Sequence, residues 1–241
     1  MRAAQRNGFE VTVFGWQGGY PLYALTRSGG MAGPSVYLSA GMHGDEPGGP
    51  LALLSLLRGD QLSRKVRWYV CPVLNPVGLR LGTRGNGDGI DMNRDYRDPR
   101  LDEVKSHVAW LKEQPVFDLA ILMHEDWEAD GFYVNEFKTG SLECLDARII
   151  DRVREVCPIL DFPSIDQMPV RGGIVHPFRD GRFGKHWPES FFLRSLGCRS
   201  GFNFEAPSCF PLAARIAAFR WAIHETVGAL VDAQTSGRGQ D

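Results

Sequence analysis

The sequence contains no long apolar run, no paired cysteine motif and no large excess of charge of one sign. Without a run of ~18 apolar residues it has no candidate for a membrane-spanning helix, and no apolar signal core follows its N-terminus. The five cysteines are odd in number and include no C-x-x-C pair, which disfavours both a disulfide framework and a thiolate zinc site. We therefore expect a cytoplasmic protein in a reducing compartment.

The weak charge excludes further classes of partner. The formal net charge is −2 and the pI is near 6.3, so we expect neither nucleic acid nor an anionic membrane surface to bind the chain. Its 241 residues, of which 43% are hydrophobic, are enough for one large core. We predict a single domain over residues 1–233 and a frayed polar tail over 234–241.

Segments with strand and helix periodicity alternate along the chain. This alternation predicts an α/β fold, here a three-layer α/β/α sandwich around a mixed, mostly parallel central sheet. The stretches 75–98 and 161–199 lack both patterns, and we expect a long loop and an irregular excursion there. The predicted strands are 9–14, 20–26, 35–40, 66–73, 116–123, 132–135 and 201–205, and the predicted helices are 50–57, 101–113, 142–156 and 212–230.

Polar side chains with metal-binding or acid–base chemistry stand where predicted strands end. His43 and Glu46 lie three residues apart on a glycine-containing turn, and His124 follows a later strand. Since ligand sites in α/β sheets gather beyond the carboxyl ends of the strands, we expect these residues to meet. Two histidines and one carboxylate leave a fourth tetrahedral position for water, as in catalytic zinc sites. Glu205, at the end of the last strand, would then be the free carboxylate that accepts the proton of that water.

Six short motifs follow one another in a distinctive order. In sequence they are H-G-D-E at 43–46, N-P-V-G at 75–78, T-R at 83–84, D-M-N-R at 91–94, the histidine at 124 and F-E at 204–205. This ordered set resembles the zinc metallocarboxypeptidases, in the compact bacterial form that includes murein peptide amidases and the succinylglutamate desuccinylase and aspartoacylase group. The correspondence runs from about residue 35 to about residue 220, which is most of the chain.

The resemblance implies a role for each matched residue. By this resemblance the zinc ligands are His43, Glu46 and His124, and the catalytic carboxylate is Glu205. The resemblance also implies that Asn93 and Arg94 form the clamp for a substrate carboxylate and that Arg84 is the electrophilic arginine. The cofactor implied is Zn²⁺.

Two departures from the family pattern leave roles open. Arg80 lies in the same loop as Arg84 and is the alternative electrophilic arginine. The larger carboxypeptidases place a mobile tyrosine upstream of the catalytic glutamate, and here that role is empty or falls to Tyr133, His176 or His186. The chain is also shorter than a digestive-type enzyme, which disfavours ordinary trimming of long peptides.

Each candidate also has a purely structural interpretation. His124 could be a satisfied histidine at a strand end, and Glu205 a carboxylate near the positive end of the last helix. Asn93-Arg94 could be a loop lock held by an aspartate. For His107, His224 and the cysteines the structural interpretation is preferred, because they lie on helices or in apolar runs without a partner pattern.

The function implied by the resemblance is zinc-dependent hydrolysis of amide bonds. The expected enzyme is a carboxypeptidase or peptide amidase acting on a small peptide with a free carboxylate, with murein-derived peptides as one such class. The alternative is an N-acyl amino acid deacylase, for which the substrate is an acylated amino acid. A metal-binding regulatory or interaction protein without turnover is the alternative outside enzymology, although such a protein would have no need of Glu205 as a base.

Overall fold

The chain is organised around a ten-stranded sheet flanked by α-helices. The structure is a computed structural model that describes residues 1–29, 33–137, 145–175 and 184–237. The strands are β1 (Glu10–Gln17), β2 (Tyr20–Arg27), β3 (Ser35–Ser39), β4 (Arg67–Cys71), β5 (Leu119–Asp126), β6 (Tyr133–Glu136), β7 (Ser164–Ile165), β8 (Met168–Arg171), β9 (Ile174–Val175) and β10 (Gly201–Pro207). The helices are α1 (Arg2–Arg6), α2 (Gly48–Arg58), α3 (Pro76–Leu81), α4 (Asp102–Lys112), α5 (Leu145–Val153), α6 (Glu189–Ser195) and α7 (Leu212–Gly237).

The sheet is mixed, with a parallel centre. Its strand order is β1-β2-β4-β3-β5-β10-β6-β9-β8-β7, and β4, β3, β5 and β10 are parallel neighbours. Most outer pairs are antiparallel, so the prediction of a mostly parallel sheet is wrong outside the centre. Two-residue turns with positive φ explain this difference: Gly18 and Gly19 join β1 to β2, and Asp166 and Gln167 join β7 to β8. Turns of this kind connect antiparallel strands.

Apolar side chains pack on both faces of the central strands. All five residues of β3 are buried. Along it, Val36 and Leu38 belong to a core that also contains Phe219 of α7, whereas Tyr37 belongs to a second core that contains Val108 of α4. Because successive side chains of a strand point to opposite faces, these two cores lie on opposite sides of the sheet. The predicted three-layer arrangement is confirmed.

Three segments differ from their predicted form. The loop predicted over 75–98 contains α3 and a 3₁₀ turn at Met92–Arg94, and the excursion over 161–199 contains β7, β8, β9 and α6. Each piece is too short to show a periodic apolar stripe. The final helix continues to Gly237, into the predicted tail, and residues 238–241 lie outside the described residues. Within the described residues no helix is both long and apolar enough to cross a membrane.

Candidate active site

Three of the predicted site residues meet at one edge of the sheet. His43 and Glu46 lie on the turn between β3 and α2, and His124 lies on β5, the parallel neighbour of β3. One potential ligand atom from each residue lies within 4.8 Å of the other two, and all three side chains are buried. β5 extends to Asp126, beyond its predicted end, because it pairs with β10 as far as that residue. His124 therefore lies inside a strand, which fixes its position.

The turn that carries His43 packs directly against the backbone of α3. A Cβ atom built on Gly44 would lie 1.9 Å from the carbonyl carbon of Gly78, so only glycine fits at Gly44. The Gly44 amide also donates to the carbonyl oxygen of Thr83 at 3.0 Å. The short motifs at 43–46, 75–78 and 83–84 are thus parts of one packed unit.

Both imidazoles direct Nδ1 at the carboxylate of Glu46. The Nδ1 atom of His43 lies 2.6 Å from Oε1 of Glu46, and the Nδ1 atom of His124 lies 3.1 Å from Oε2. On its other side, Nε2 of His43 lies 3.2 Å from Oδ1 of Asp91. A carboxylate behind a histidine in this way fixes its ring orientation and its tautomer, as around many metal sites.

The charges of this cluster fit a divalent cation. Burial raises the pKa of Glu46, but His43 and His124 outweigh it and bring that pKa down to about 2. Burial also opposes a charge on His43, yet Glu46 and Asp91 together raise its pKa above the ordinary value. The cluster therefore attracts positive charge, and two nitrogens with one ionised carboxylate are the donor set that zinc prefers.

Arg84 reaches this cluster and Arg80 does not. The Nη1 atom of Arg84 lies 3.5 Å from Oε1 of Glu46, and its Nε donates to Oδ2 of Asp91 at 3.2 Å. Arg80 instead donates to the hydroxyl of Tyr20 at 3.1 Å, and it does not line the cleft that contains His43, Glu46 and Arg84. The geometry thus favours Arg84 among the two arginines proposed from the sequence.

Asn93 and Arg94 stand beside the cluster on the 3₁₀ turn. Asp91 caps this turn by accepting a hydrogen bond from the Asn93 amide at 2.9 Å. The side-chain Oδ1 of Asn93 accepts from the amide of Glu189 at 2.9 Å, and Nη1 of Arg94 donates to the carbonyl oxygen of Asn93 at 2.8 Å. Both side chains line the same cleft as the His43 cluster.

Glu205 lies between His124 and Tyr133 in the sheet. On β10 it pairs with His124 of β5 on one side and with Tyr133 of β6 on the other. Burial raises the pKa of Glu205 to about 8, against the opposing effect of His124. The hydroxyl of Tyr133 donates to Oδ2 of Asp126 at 2.8 Å. Of the candidates for the tyrosine's place, Tyr133 lines the cleft, whereas His186 does not and His176 lies outside the described residues.

Known proteins are similar to this chain in sequence and in fold. The family model of the succinylglutamate desuccinylase/aspartoacylase catalytic domain matches residues 32–115. A solved structure from Shewanella amazonensis SB2B, described as a candidate metallopeptidase, has a TM-score of 0.80 and 29% identity over 95% of this chain and 90% of its own. These matches support a zinc carboxypeptidase-like family for this chain. This confirms the resemblance inferred from the ordered motifs.

Two curated proteins match a smaller share of this chain than the solved structure does. Murein peptide amidase A from Escherichia coli K12 is 30% identical over 103 residues, which are 43% of this chain and 40% of that protein. Carboxypeptidase SOL1 from Arabidopsis thaliana is 30% identical over 120 residues, with 39% of this chain and 24% of that protein covered. The chain thus matches less than half the length of either relative.

A buried polar network behind the site was not expected from the sequence. The carboxylate of Glu189 accepts from the hydroxyl of Tyr37 at 2.6 Å and from that of Ser39 at 3.1 Å. The ring of His107 lies between the hydroxyls of Tyr37 and Tyr96, at 3.0 and 2.7 Å. Burial lowers the pKa of His107 to about 3, so the ring is neutral and bonds through both nitrogens. His107 therefore has the structural role that the sequence indicated.

Glu189 connects this network to the side of the cleft that carries Asn93. Its side chain is fully buried, and burial raises its pKa to about 7. Its own amide holds the Asn93 side chain, so one residue fixes both the central strand β3 and the 3₁₀ turn to the start of α6. The only signal in the sequence was the presence of Tyr37 and Ser39 in the short strand β3.

The two acidic residues that follow His124 have structural partners. Glu125 accepts from the amide of Gly48 at 2.6 Å, at the first residue of α2, and pairs with Arg215 of α7. Asp126 accepts from Tyr133 and from the amide of Glu128 at 2.8 Å. This unusual acidic pair in a family member thus joins α2, α7 and β6 to the end of β5.

Proposed function

We propose that the protein is a zinc-dependent hydrolase that cleaves an amide bond in a small peptide with a free carboxylate. The observation that carries this proposal is the convergence of the His43 cluster, Glu205 and Arg94 on one cleft of about 310 Å³. His43, Glu46 and His124 would hold the zinc. When bound there, zinc supplies Lewis acidity, which lowers the pKa of a water ligand and polarises the scissile carbonyl group.

The side chains of the cleft perform the remaining steps. Arg94 binds the substrate carboxylate through the two-point contact that a planar guanidinium makes. Glu205 accepts a proton from the attacking water and delivers it to the amine nitrogen as the C–N bond breaks. Arg84 donates to the carbonyl oxygen as negative charge develops on it.

Two finer points belong to the same proposal. Murein-derived peptides are included as substrates, because one curated relative is a murein peptide amidase. A cytoplasmic location is supported by the free thiols of the four cysteines in the described part of the chain, three of which are buried. Cys144 lies outside the described residues.

A second candidate function is the deacylation of N-acyl amino acids. It is favoured by the match of residues 32–115 to the succinylglutamate desuccinylase/aspartoacylase model, a stretch that includes Glu46, Arg84 and Arg94. In this alternative Arg94 would hold the carboxylate of the released amino acid, and the cleft would accept a small acyl group.

The test is a paired measurement of metal content and turnover. Purified protein should contain one zinc per chain by mass spectrometry. The zinc-loaded protein should hydrolyse γ-D-glutamyl-diaminopimelate or other small free-carboxylate peptides faster than N-succinyl and N-acetyl amino acids. Faster cleavage of the acylated amino acids would support the deacylase instead. Full zinc occupancy with no turnover of either class would overturn both and favour the non-enzymatic interpretation.

A further inference from the structure

Two asparagines lie side by side on the part of the cleft formed by β6 and β10. Asn135 and Asn203 are direct partners in the antiparallel ladder, two residues from Tyr133 and Glu205 respectively. Since side chains two apart on a strand share a face, both asparagines lie on the face that carries Glu205. Both line the cleft, and the Oδ1 atom of each is buried without a hydrogen-bond partner among the described residues.

The two unpaired amide oxygens do not stabilise the fold. Asparagine is depleted in strands, and a buried amide oxygen without a donor destabilises the folded state. Most buried polar groups in native proteins are paired, so two unpaired carbonyl groups on neighbouring strands need an explanation. A role in holding a bound molecule explains them, because the missing partners would then be supplied by the ligand.

The proposed function indicates which part of the ligand lies there. The His43 cluster lies at the ends of β3 and β5. Next to β5 in the sheet come β10, which carries Glu205, and then β6. If Arg94 holds the carboxylate and the scissile bond lies at the His43 cluster, the side chain of the carboxylate-bearing residue faces the remaining wall. That wall contains Asn135 and Asn203.

The charge of the cleft indicates the chemistry of that side chain. Among the described residues that line it, carboxylates outnumber guanidinium groups by seven to three. The carboxylates are Glu46, Glu125, Asp126, Glu128, Glu136, Asp166 and Glu205, and the guanidinium groups are Arg84, Arg94 and Arg194. The last torsion of asparagine is broad, so either amide can turn its oxygen towards a ligand. Carbonyl oxygens in an acidic cleft favour a group that donates hydrogen bonds from nitrogen.

We propose that Asn135 and Asn203 select a substrate residue whose side chain ends in a nitrogen donor, an ammonium or an amide, and reject apolar side chains of the same length. This inference rests on the proposed function, because it assigns the asparagines to the residue that Arg94 holds. A ligand without a donor leaves both amides desolvated and unpaired, which is the basis of strong rejection in sites built for polar groups.

The experiment compares two series of three dipeptides, and within each series the peptides differ only in the C-terminal residue. L-Alanyl and γ-D-glutamyl dipeptides of lysine, glutamine and norleucine supply an ammonium, an amide and an apolar chain. With zinc-loaded wild type, kcat/KM for lysine or glutamine should exceed that for norleucine at least ~10-fold. A second readout is binding of the three free amino acids by calorimetry, which should follow the same order without turnover.

Variants assign the selection to the two asparagines. Asn135→Leu and Asn203→Leu keep the approximate shape and remove the amide, and each should reduce the preference to within ~3-fold. Asn7→Leu is the matched control, because the Asn7 amide bonds to Leu57 far from the cleft. The unfolding temperature of the two cleft variants should be unchanged or higher, since their amide oxygens have no protein partner to lose. A lower temperature with unchanged selectivity would show a structural role and overturn the inference.

The outcomes separate this inference from the proposed function. A preference for lysine over glutamine, or the reverse, supports selection of a nitrogen donor and identifies which one. Equal or faster cleavage of the norleucine peptides would overturn the selection but leave the hydrolase intact. Binding of the free amino acids in the expected order, with no cleavage of any peptide, would keep the selection and reject the proposed function.

Discussion

The two sides of the cleft are built in opposite ways. On the β3 and β5 side, both oxygens of Glu46 face an imidazole nitrogen, and the second nitrogen of His43 faces Asp91. On the β10 and β6 side, the amide oxygens of Asn135 and Asn203 have no partner among the described residues. The polar groups named on the first side are paired within the protein, whereas the two amide oxygens on the second side are available to a ligand.

This difference matches two different tasks. Groups that hold a metal ion work best when their donor atoms are already in position, and mutual hydrogen bonds keep them there. Groups that select a substrate gain most from partners that only the substrate supplies, since rejection of the wrong ligand then leaves them unpaired. Variants in the paired wall, formed by His43, Glu46 and His124, and variants next to it test this difference.

The largest effect is expected at the paired wall itself. His43→Ala and His124→Ala each remove one of three ligands, so zinc binding should be abolished in both. His224→Ala, an exposed histidine on α7, is the matched control and should keep one zinc per chain. Metal content by mass spectrometry is the measurement, and full occupancy in either cleft variant would reject the ligand assignment.

The next effect separates catalysis from metal binding. Glu205 lies next to the cluster but outside the three-residue group that can hold the ion. Glu205→Gln should therefore retain zinc and lose activity by about 10²–10⁴-fold, because the amide cannot accept the proton of water. Turnover and zinc content are measured on the same sample. Near-normal turnover would remove Glu205 from the mechanism.

Arg94 tests the selection of a free carboxylate. A partly desolvated bidentate contact is worth about 2–5 kcal/mol, so Arg94→Ala should lower kcat/KM for an acid substrate by ~30-fold or more. Arg94→Lys should recover only part of this loss, because lysine keeps the charge without the two-point geometry.

The control for Arg94 is the amide form of the same substrate. Wild type should already be poor on it, so Arg94→Ala should change that rate little. Equal losses on the acid and amide forms would mean that Arg94 holds the loop instead of the ligand.

The smallest effect is expected behind the paired wall, at Glu189. Burial raises the folded-state pKa of this carboxyl to about 7, above its unfolded value. As pH rises, the unfolded chain loses this proton first, so the free energy of unfolding of the metal-free protein should fall by about 1–2 kcal/mol between about pH 5.5 and 7. Glu189→Gln, which mimics the protonated form, should remove the part of this slope that comes from Glu189 and leave the parts that come from the raised pKa values of Glu205 and Glu125.

Denaturation at several pH values measures that slope. Glu113→Gln, at an exposed carboxylate after α4, is the control and should leave it unchanged. The same pH dependence in wild type and Glu189→Gln would show that Glu189 is ionised in the folded protein throughout this range.

The sequence predicted the layered fold, and it also predicted which candidate site residues would lie together. His43, Glu46, His124 and Glu205 were found because parallel strand ends must meet at one edge, and the structure brings them together there. The roles assigned to them, and the single domain over 1–233, stay predictions. The ordered motifs placed Asn93 and Arg94 in the same cleft.

What could not be predicted depends on contacts between distant residues. The bond from Tyr37 to Glu189 joins positions 152 residues apart, and no local pattern records it. The same holds for Asn135 and Asn203, whose pairing follows from the register of β6 against β10. The short α3 and the 3₁₀ turn depend on caps from Asn75 and Asp91 instead of an apolar stripe.

The close contact between Gly44 and Gly78 should couple opening of the turn that carries His43 to opening of the segment 78–84, which carries Arg84. No methyl group fits between these backbones, and the Gly44 amide is bonded to Thr83, next to Arg84. We therefore expect the two segments to open together. The amides of Gly44 and Leu79, which donates to Asn75, should therefore exchange with deuterium at the same rate in metal-free protein, through a single shared opening.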